Sequence, residues 1–198
     1  MRYHLTLLIT FLLVLLWSAI APHDYLTWWL EVFPAVIGLV IILVTYRKFP
    51  LTDFLYTLIL IHAIILCVGG HYTYAEVPLF DWIRDLLGQA RNNYDKVGHL
   101  AQGFIPAFIA REVMLRKWVV TKSWVGFLSI AICMALSSLY EIFEWWVSVL
   151  TGSAGDSFLG TQGYIWDTQS DMFYAMLGAM IGILFFSRFH DRAMKHIV

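Results

Sequence analysis

Long uninterrupted apolar segments dominate this sequence and restrict what it can fold into. A transmembrane helix needs about 17–25 mostly apolar residues, and six segments reach or approach that length. They cover about residues 5–21, 28–46, 54–70, 94–110, 124–146 and 171–187. Their apolar residues are continuous rather than alternating, which disfavours the strands of a membrane β-barrel. The predicted fold is all-α: one integral membrane bundle of six transmembrane helices over residues 1–198.

Composition supports the membrane class and excludes others. Of the 198 residues, 60% are hydrophobic and 14% are charged, against about 25% charged in soluble domains. A water-soluble domain of this size could not bury so much apolar surface. The aromatic content of 17% excludes a disordered chain. A net charge of −1 gives no basis for nucleic-acid binding.

The distribution of basic residues predicts the orientation in the membrane. Ten of the 13 Lys and Arg residues lie beside one set of span ends, and three lie beside the other. Cytoplasmic loops are enriched in Lys and Arg, so both chain termini are predicted to be cytoplasmic. Between the third and fourth spans, residues 78–90 place apolar side chains at helical spacing. This pattern predicts one short interfacial helix on the outer surface.

Ionisable residues gather at the predicted outer ends of four spans. Such residues inside or capping a membrane span are costly, which makes them candidates for function. The spacing i,i+4 or i,i+3 directs pairs of them to one face of each helix. The cluster comprises His71, Asp95, Lys96, His99, Glu141, Glu144, Asp167 and Asp171.

Carboxylates and imidazoles in this combination suit a divalent metal such as Zn²⁺, Mn²⁺ or Fe²⁺. The predicted metal ligands are His71, His99, Glu141 and Asp171. A carboxylate outside the metal's ligand set would serve as the catalytic base, and the candidate catalytic residues are Asp95, Glu144 and Asp167. Two structural alternatives stay open. The acids could pair with Lys96 and protonated histidines, or cap helix N-termini.

Several of these motifs resemble a known family. The segments HYTY (71–74), YDKVGH (94–99), YE (140–141), GTQG (160–163) and WDTQ (166–169) resemble the YjdF-like family of bacterial inner-membrane proteins. The second half of the chain also resembles the VanZ-like superfamily, in which Gln usually stands at the position of Glu144. The resemblance implies a multi-pass protein of the bacterial inner membrane. The VanZ-like likeness also suggests envelope chemistry.

Three classes of function fit these features. The first is a metal-dependent membrane hydrolase or transferase acting on a lipid or lipid-linked substrate at the outer interface. The second is an ion-coupled transporter, for which His62 near mid-span is the one suggestive residue. The third is a structural or binding protein whose polar cluster holds the helices together. The oligomeric state does not follow from the sequence.

Other polar and small residues have simpler interpretations. His62 is predicted to be a packing histidine, and His190 an interfacial one. Asp53 is predicted to cap a helix and to pair with Arg47 or Lys48. Gly103, and Gly178 with Gly182, predict close helix approach. The glycine-rich residues 152–163 predict a flexible loop or lid.

Overall fold

Helices make up most of the chain described by the computed structural model, which covers residues 2–152 and 162–195. They are α1 (Arg2–Ser18), α2 (Tyr25–Thr45), α3 (Asp53–Tyr72), α4 (Pro78–Leu87), α5 (Tyr94–Arg116), α6 (Lys122–Thr151), α7 (Asp167–Ile181) and α8 (Ser187–Met194). A 3₁₀ turn at Tyr74–Glu76 precedes α4, and a π-helical segment at Gly182–Phe186 joins α7 to α8. Residues 153–161 of the predicted loop lie outside the described ranges.

Four helices are long and apolar enough to cross a membrane: α2, α3, α6 and the continuous helix Asp167–Met194. This confirms the all-α membrane class, and four of the six predicted spans coincide with these candidate spans. Helix α1 has only 17 residues, and α5 carries charged residues at both ends, so these two spans stay predictions. Helix α6 is longer than predicted, which places Glu144 about two turns inside the helix rather than at its end.

Local capping explains where two of the spans begin. The Asp24 carboxylate accepts a hydrogen bond from the Thr27 backbone N–H at 2.7 Å, which lowers the pKa of Asp24. Thr52 Oγ1 likewise accepts from the Leu55 N–H at 3.2 Å. Both caps satisfy backbone donors that have no partner within the helix. Helices α2 and α3 therefore start directly after these residues.

The helices form two groups that meet at α3 and α5. Helices α1, α2 and α3 pack around a core that includes Trp28, Val32 and Cys67. Helices α5, α6 and α7 pack around Ala107 and Cys133, together with neighbouring apolar residues. Contact between α3 and α5 joins the groups. The buried acidic and histidine side chains of the candidate site lie where these groups come together.

Helices α5 and α7 cross at glycines. A Cβ on Gly103 would stand 1.7 Å from the backbone oxygen of Ala175, and one on Gly178 would stand 2.0 Å from that of Leu100. Backbones this close leave no room for a side chain. The prediction of close packing at Gly103 and Gly178 is confirmed, and the contact is made within one chain.

A buried polar network connects helices at the end of the bundle opposite the ionisable cluster that the sequence predicts. The fully buried Glu112 carboxylate contacts His190 Nε2 at 2.9 Å, Arg116 at 2.7 Å and the Thr52 hydroxyl at 2.9 Å. The interfacial interpretation of His190 was wrong, because its side chain is fully buried between these helices. The network fixes the C-terminal half of α5 against α8 and the start of α3.

The first turn of α1 lies at this same end. His4 Nε2 contacts the Asp53 carboxylate at 2.7 Å, and His4 Nδ1 contacts the Tyr46 hydroxyl at 2.6 Å. The predicted pairing of Asp53 with Arg47 or Lys48 was therefore wrong, since α1 supplies its partner. The start of α1 and helix α8 consequently lie at one end of the bundle, opposite the acidic cluster.

Candidate metal centre

Three aspartates surround one lysine where α5 and α7 begin. Lys96 Nζ lies 2.6 Å from Asp171, 3.2 Å from Asp167 and 3.3 Å from Asp95. All four side chains are about nine-tenths or more buried. The i,i+4 spacing of Asp167 and Asp171 presents both to α5, as the sequence pattern predicted.

A second cation completes this half of the cluster. Arg91 contacts Asp95 at 2.8 Å and Asp167 at 2.5 Å. Arg91 was missed as a member of the cluster, although its i,i+4 spacing to Asp95 is a recognisable signal for a helical ion pair. Two cations thus face three carboxylates. The alternative in which the acids pair with Lys96 describes this group, with Arg91 rather than a protonated histidine as the second cation.

A different group, made by three helices, has the composition of a metal site. One ligand atom from each of His99 (α5), Glu141 (α6) and Asp171 (α7) lies within 4.8 Å of the other two. His99 Nε2 is 3.7 Å from Asp171 Oδ2, and His99 Nδ1 is 3.9 Å from Glu141 Oε1. Each residue is less than one-tenth exposed. The three side chains therefore converge on one buried position.

Gln102 orients the imidazole of this group. His99 Nδ1 lies 2.8 Å from Gln102 Oε1, and an amide oxygen can only accept. Nδ1 is therefore the donor, and Nε2 faces Asp171 Oδ2 at 3.7 Å. Metal-binding histidines are commonly held this way, with one nitrogen hydrogen-bonded and the other ligating.

One oxygen of the Glu141 carboxylate lacks a hydrogen-bond partner in the described part of the chain. Among the described residues, none forms a hydrogen bond to Glu141 Oε1, which is buried beside His99. A buried carboxylate oxygen without a partner is costly. A cation held between Glu141, His99 and Asp171 would satisfy this oxygen, whereas Lys96 does not reach it.

The group borders a small internal cavity. About 90 Å³ of water-sized space lies among α2, α3, α5, α6 and α7, lined in part by His99, Asp171 and Glu144. Glu31 also lines it, with Tyr140 hydroxyl 3.5 Å from its carboxylate. Glu31 was missed in the sequence analysis, although a lone acid within an apolar span is a signal for function.

Tyr74 closes the cavity between α3 and α5. Thr73 has a φ of +55°, an unusual conformation for a residue other than glycine, and it turns the chain back after α3. The Tyr74 ring then fits against Gly69 and Gly98, where a Cβ would lie 2.1 Å and 2.7 Å from the ring. The HYTY and YDKVGH motifs therefore meet at this ring.

His71 is not brought to the cluster. Its Nδ1 lies 3.1 Å from the Ser18 backbone oxygen, and its ring packs against Trp17 with centroids 4.6 Å apart. This position connects α3 with the end of α1. Of the four predicted metal ligands, the structure brings together His99, Glu141 and Asp171. Of the three candidate catalytic residues, Asp95 and Asp167 pair with cations, while Asp95 and Glu144 both line the cavity.

Comparisons with known proteins agree with the membrane architecture. A family model described as "Predicted membrane protein (DUF2238)" matches residues 3–192. The chain is 48% identical over 188 residues to "Inner membrane protein YjdF" of Escherichia coli (strain K12), covering 94% of this chain and 90% of the relative. No solved structure matches. The YjdF-like resemblance is thus confirmed, while the VanZ-like one stays a prediction. The chain belongs to the DUF2238 family of predicted membrane proteins.

Proposed function

We propose that this protein is a multi-pass inner-membrane enzyme that holds a divalent metal ion between His99, Glu141 and Asp171. The observation that carries the proposal is the convergence of three buried ligand atoms, one from each side chain, within 4.8 Å. In addition, Glu141 Oε1 has no hydrogen-bond partner among the described residues. One imidazole and two carboxylates suit Zn²⁺, Mn²⁺ or Fe²⁺. The proposed reaction class is hydrolysis or group transfer.

The neighbouring residues have distinct proposed roles. A divalent ion in such a site supplies Lewis acidity or an activated water. Gln102 fixes the His99 ring, and Lys96 holds Asp171 through a 2.6 Å contact. Glu144 borders the same cavity without an ion-pair partner among the described residues, and we assign it the role of proton acceptor. Asp95 and Asp167 then position Lys96 and Arg91 rather than react.

The location of the site favours an amphiphilic substrate. Positive-inside topology would place the basic end of the bundle in the cytoplasm and the site near the outer interface. Helix α4 adjoins this end and exposes a row of large apolar side chains, as the predicted interfacial helix should. They are Leu79, Trp82, Leu86 and Leu87. A lipid or lipid-linked molecule with its polar group at the interface fits this setting.

Metal content tests the proposal. Asp171→Asn and Glu141→Gln are each expected to weaken binding of Zn²⁺ or Mn²⁺ by at least the roughly 10–100-fold typical of lost outer-shell contacts. Elemental analysis and metal titration of purified protein provide the measurement. His71→Ala is the matched control, because His71 lies at the same end of the bundle but outside the group.

A folding check separates lost binding from lost structure. Each variant should elute as the parent does and should still unfold cooperatively. Parent protein that binds neither ion, or folded Asp171→Asn and Glu141→Gln variants that keep parental affinity, would contradict the proposed metal site.

Ion-coupled transport is a second candidate, favoured by one observation. His62 lies near the middle of α3 and lines the same cavity as Glu31 and Glu144, so acidic and imidazole groups extend towards the bundle centre. In proteoliposomes, a transporter would show proton or cation flux that His62→Ala abolishes. Flux no higher than in empty liposomes would contradict transport and leave the enzyme proposal standing.

A further inference from the structure

An apolar groove lies between α1 and α2 and extends towards the basic end of the bundle. Both helices pack on α3, and the space among the three is a cavity of about 300 Å³. Ala35 and Ala63 are both buried at the groove, where their small side chains leave room. The remaining lining is almost wholly aliphatic or aromatic. Its polar side chains, His4, Tyr46 and Tyr56, lie at the basic end of the bundle.

The length of the groove matches one lipid leaflet. Along α2 it runs from Ala35 to Tyr46, which at 1.5 Å per residue is about 16 Å. Half of a bilayer's hydrocarbon core is about 15 Å. The groove therefore has the depth of a single acyl chain that enters from the basic end and stops near the midplane.

Three cations lie close in the chain to residues that line the basic end of the groove. Arg2 begins α1, while Arg47 and Lys48 follow α2, and all three are exposed. None has an ion-pair partner among the residues that the structure describes. The one acid at this rim, Asp53, is paired with His4 at 2.7 Å. The rim therefore carries excess positive charge at the level of lipid head groups.

We propose that the groove between α1 and α2 binds an anionic phospholipid of the leaflet at the basic end of the bundle. One acyl chain occupies the apolar cavity, and the phosphate faces Arg2, Arg47 and Lys48. Charge complementarity selects an anionic head group, since each Lys or Arg near the surface contributes about 1 kcal/mol to such binding. This site is independent of the proposed metal centre, which lies at the opposite end.

Native mass spectrometry of the full chain, delipidated in detergent, tests the proposal. Phosphatidylglycerol and phosphatidylcholine with the same acyl chains are the two probes. The parent should bind one phosphatidylglycerol in preference to phosphatidylcholine. Arg47→Gln and Lys48→Gln should each weaken phosphatidylglycerol binding about fivefold, whereas the control Arg188→Gln, a basic residue of α8, should not.

A second variant tests the acyl-chain site separately. Ala35→Leu fills the groove and should reduce binding of both lipids, whereas Val44→Leu changes an exposed side chain of α2 outside the groove and should not. Equal binding of the two lipids by the parent would overturn the proposal. Parental lipid binding by the folded Ala35→Leu variant would also overturn it. So would a parent protein that forms a dimer without lipid and loses that dimer in the Ala35→Leu variant, because a second copy of the chain would then occupy the groove.

Discussion

Replacing Lys96 with methionine is expected to lower the free energy of unfolding by about 3–5 kcal/mol, the range for breaking a buried ion pair. The substitution removes the ammonium group that contacts Asp95, Asp167 and Asp171. Arg91 does not contact Asp171, so that carboxylate would lose its only lysine or arginine partner within the described residues. Denaturant unfolding of purified protein in detergent measures the effect.

Two further variants make the Lys96 result specific. Lys122→Met removes an exposed lysine at the start of α6, and we expect a change within about 0.5 kcal/mol, as for other surface substitutions. Adding Asp171→Asn to Lys96→Met should recover part of the loss, because it removes the unpaired charge. A Lys96→Met protein as stable as the parent would show that the network contributes little to the fold.

Replacing Gly103 with alanine should destabilise the protein by about 3 kcal/mol, at the upper end of the range for overpacking. The new Cβ would stand 1.7 Å from the Ala175 backbone oxygen, and a backbone atom cannot move aside without separating α5 from α7. Because the cluster depends on that crossing, metal binding at the acidic end should weaken with it. Thermal unfolding followed by circular dichroism gives the stability change.

Gly38→Ala is the matched control for Gly103→Ala. Gly38 lies inside α2, and a Cβ there would meet nothing within 4 Å. Alanine is the better helix former, so this variant should gain about 0.5–1 kcal/mol. If Gly103→Ala behaves like Gly38→Ala, the close crossing of α5 and α7 would be disproved.

The polar cluster could be predicted in outline because residue type and helical spacing, the two signals for it, are both local. Acids and imidazoles are rare inside apolar spans, so Asp95, His99, Glu141 and Asp171 stand out. Helical spacing then shows which of them share a face. Spacing within a helix does not show how helices rotate about one another. His71 therefore looked equivalent to His99, although it packs against α1.

Other features depended on contacts between distant segments. Glu31 is a single acid in an apolar span, and only the packing of α2 against α3 brings it to the cavity. His190 looked interfacial because it follows an apolar span by a few residues. Its partner, Glu112, is 78 residues away in the chain, and no local pattern links the two.

Charge patterning also separated the two ends of the bundle correctly. Arg111, Arg116 and Asp191 lie at one end, where Arg111 contacts Asp191 and Arg116 contacts the Pro50 backbone oxygen, while Asp95 and Asp167 lie at the other. What the pattern could not show is that two cations, not one, neutralise the aspartates. Even so, Glu141 Oε1, beside His99, has no hydrogen-bond partner among the described residues, and neither has Asp95 Oδ1.

The central claim is a metal ion between His99, Glu141 and Asp171. Crystals grown with Mn²⁺ or Zn²⁺ and measured at the absorption edge of that metal test it most directly. We expect one anomalous difference peak within ligand distance, about 2.0–2.2 Å for Zn²⁺, of all three side chains. A map with no peak there, with Glu141 Oε1 hydrogen-bonded to a water or a side chain, would contradict it.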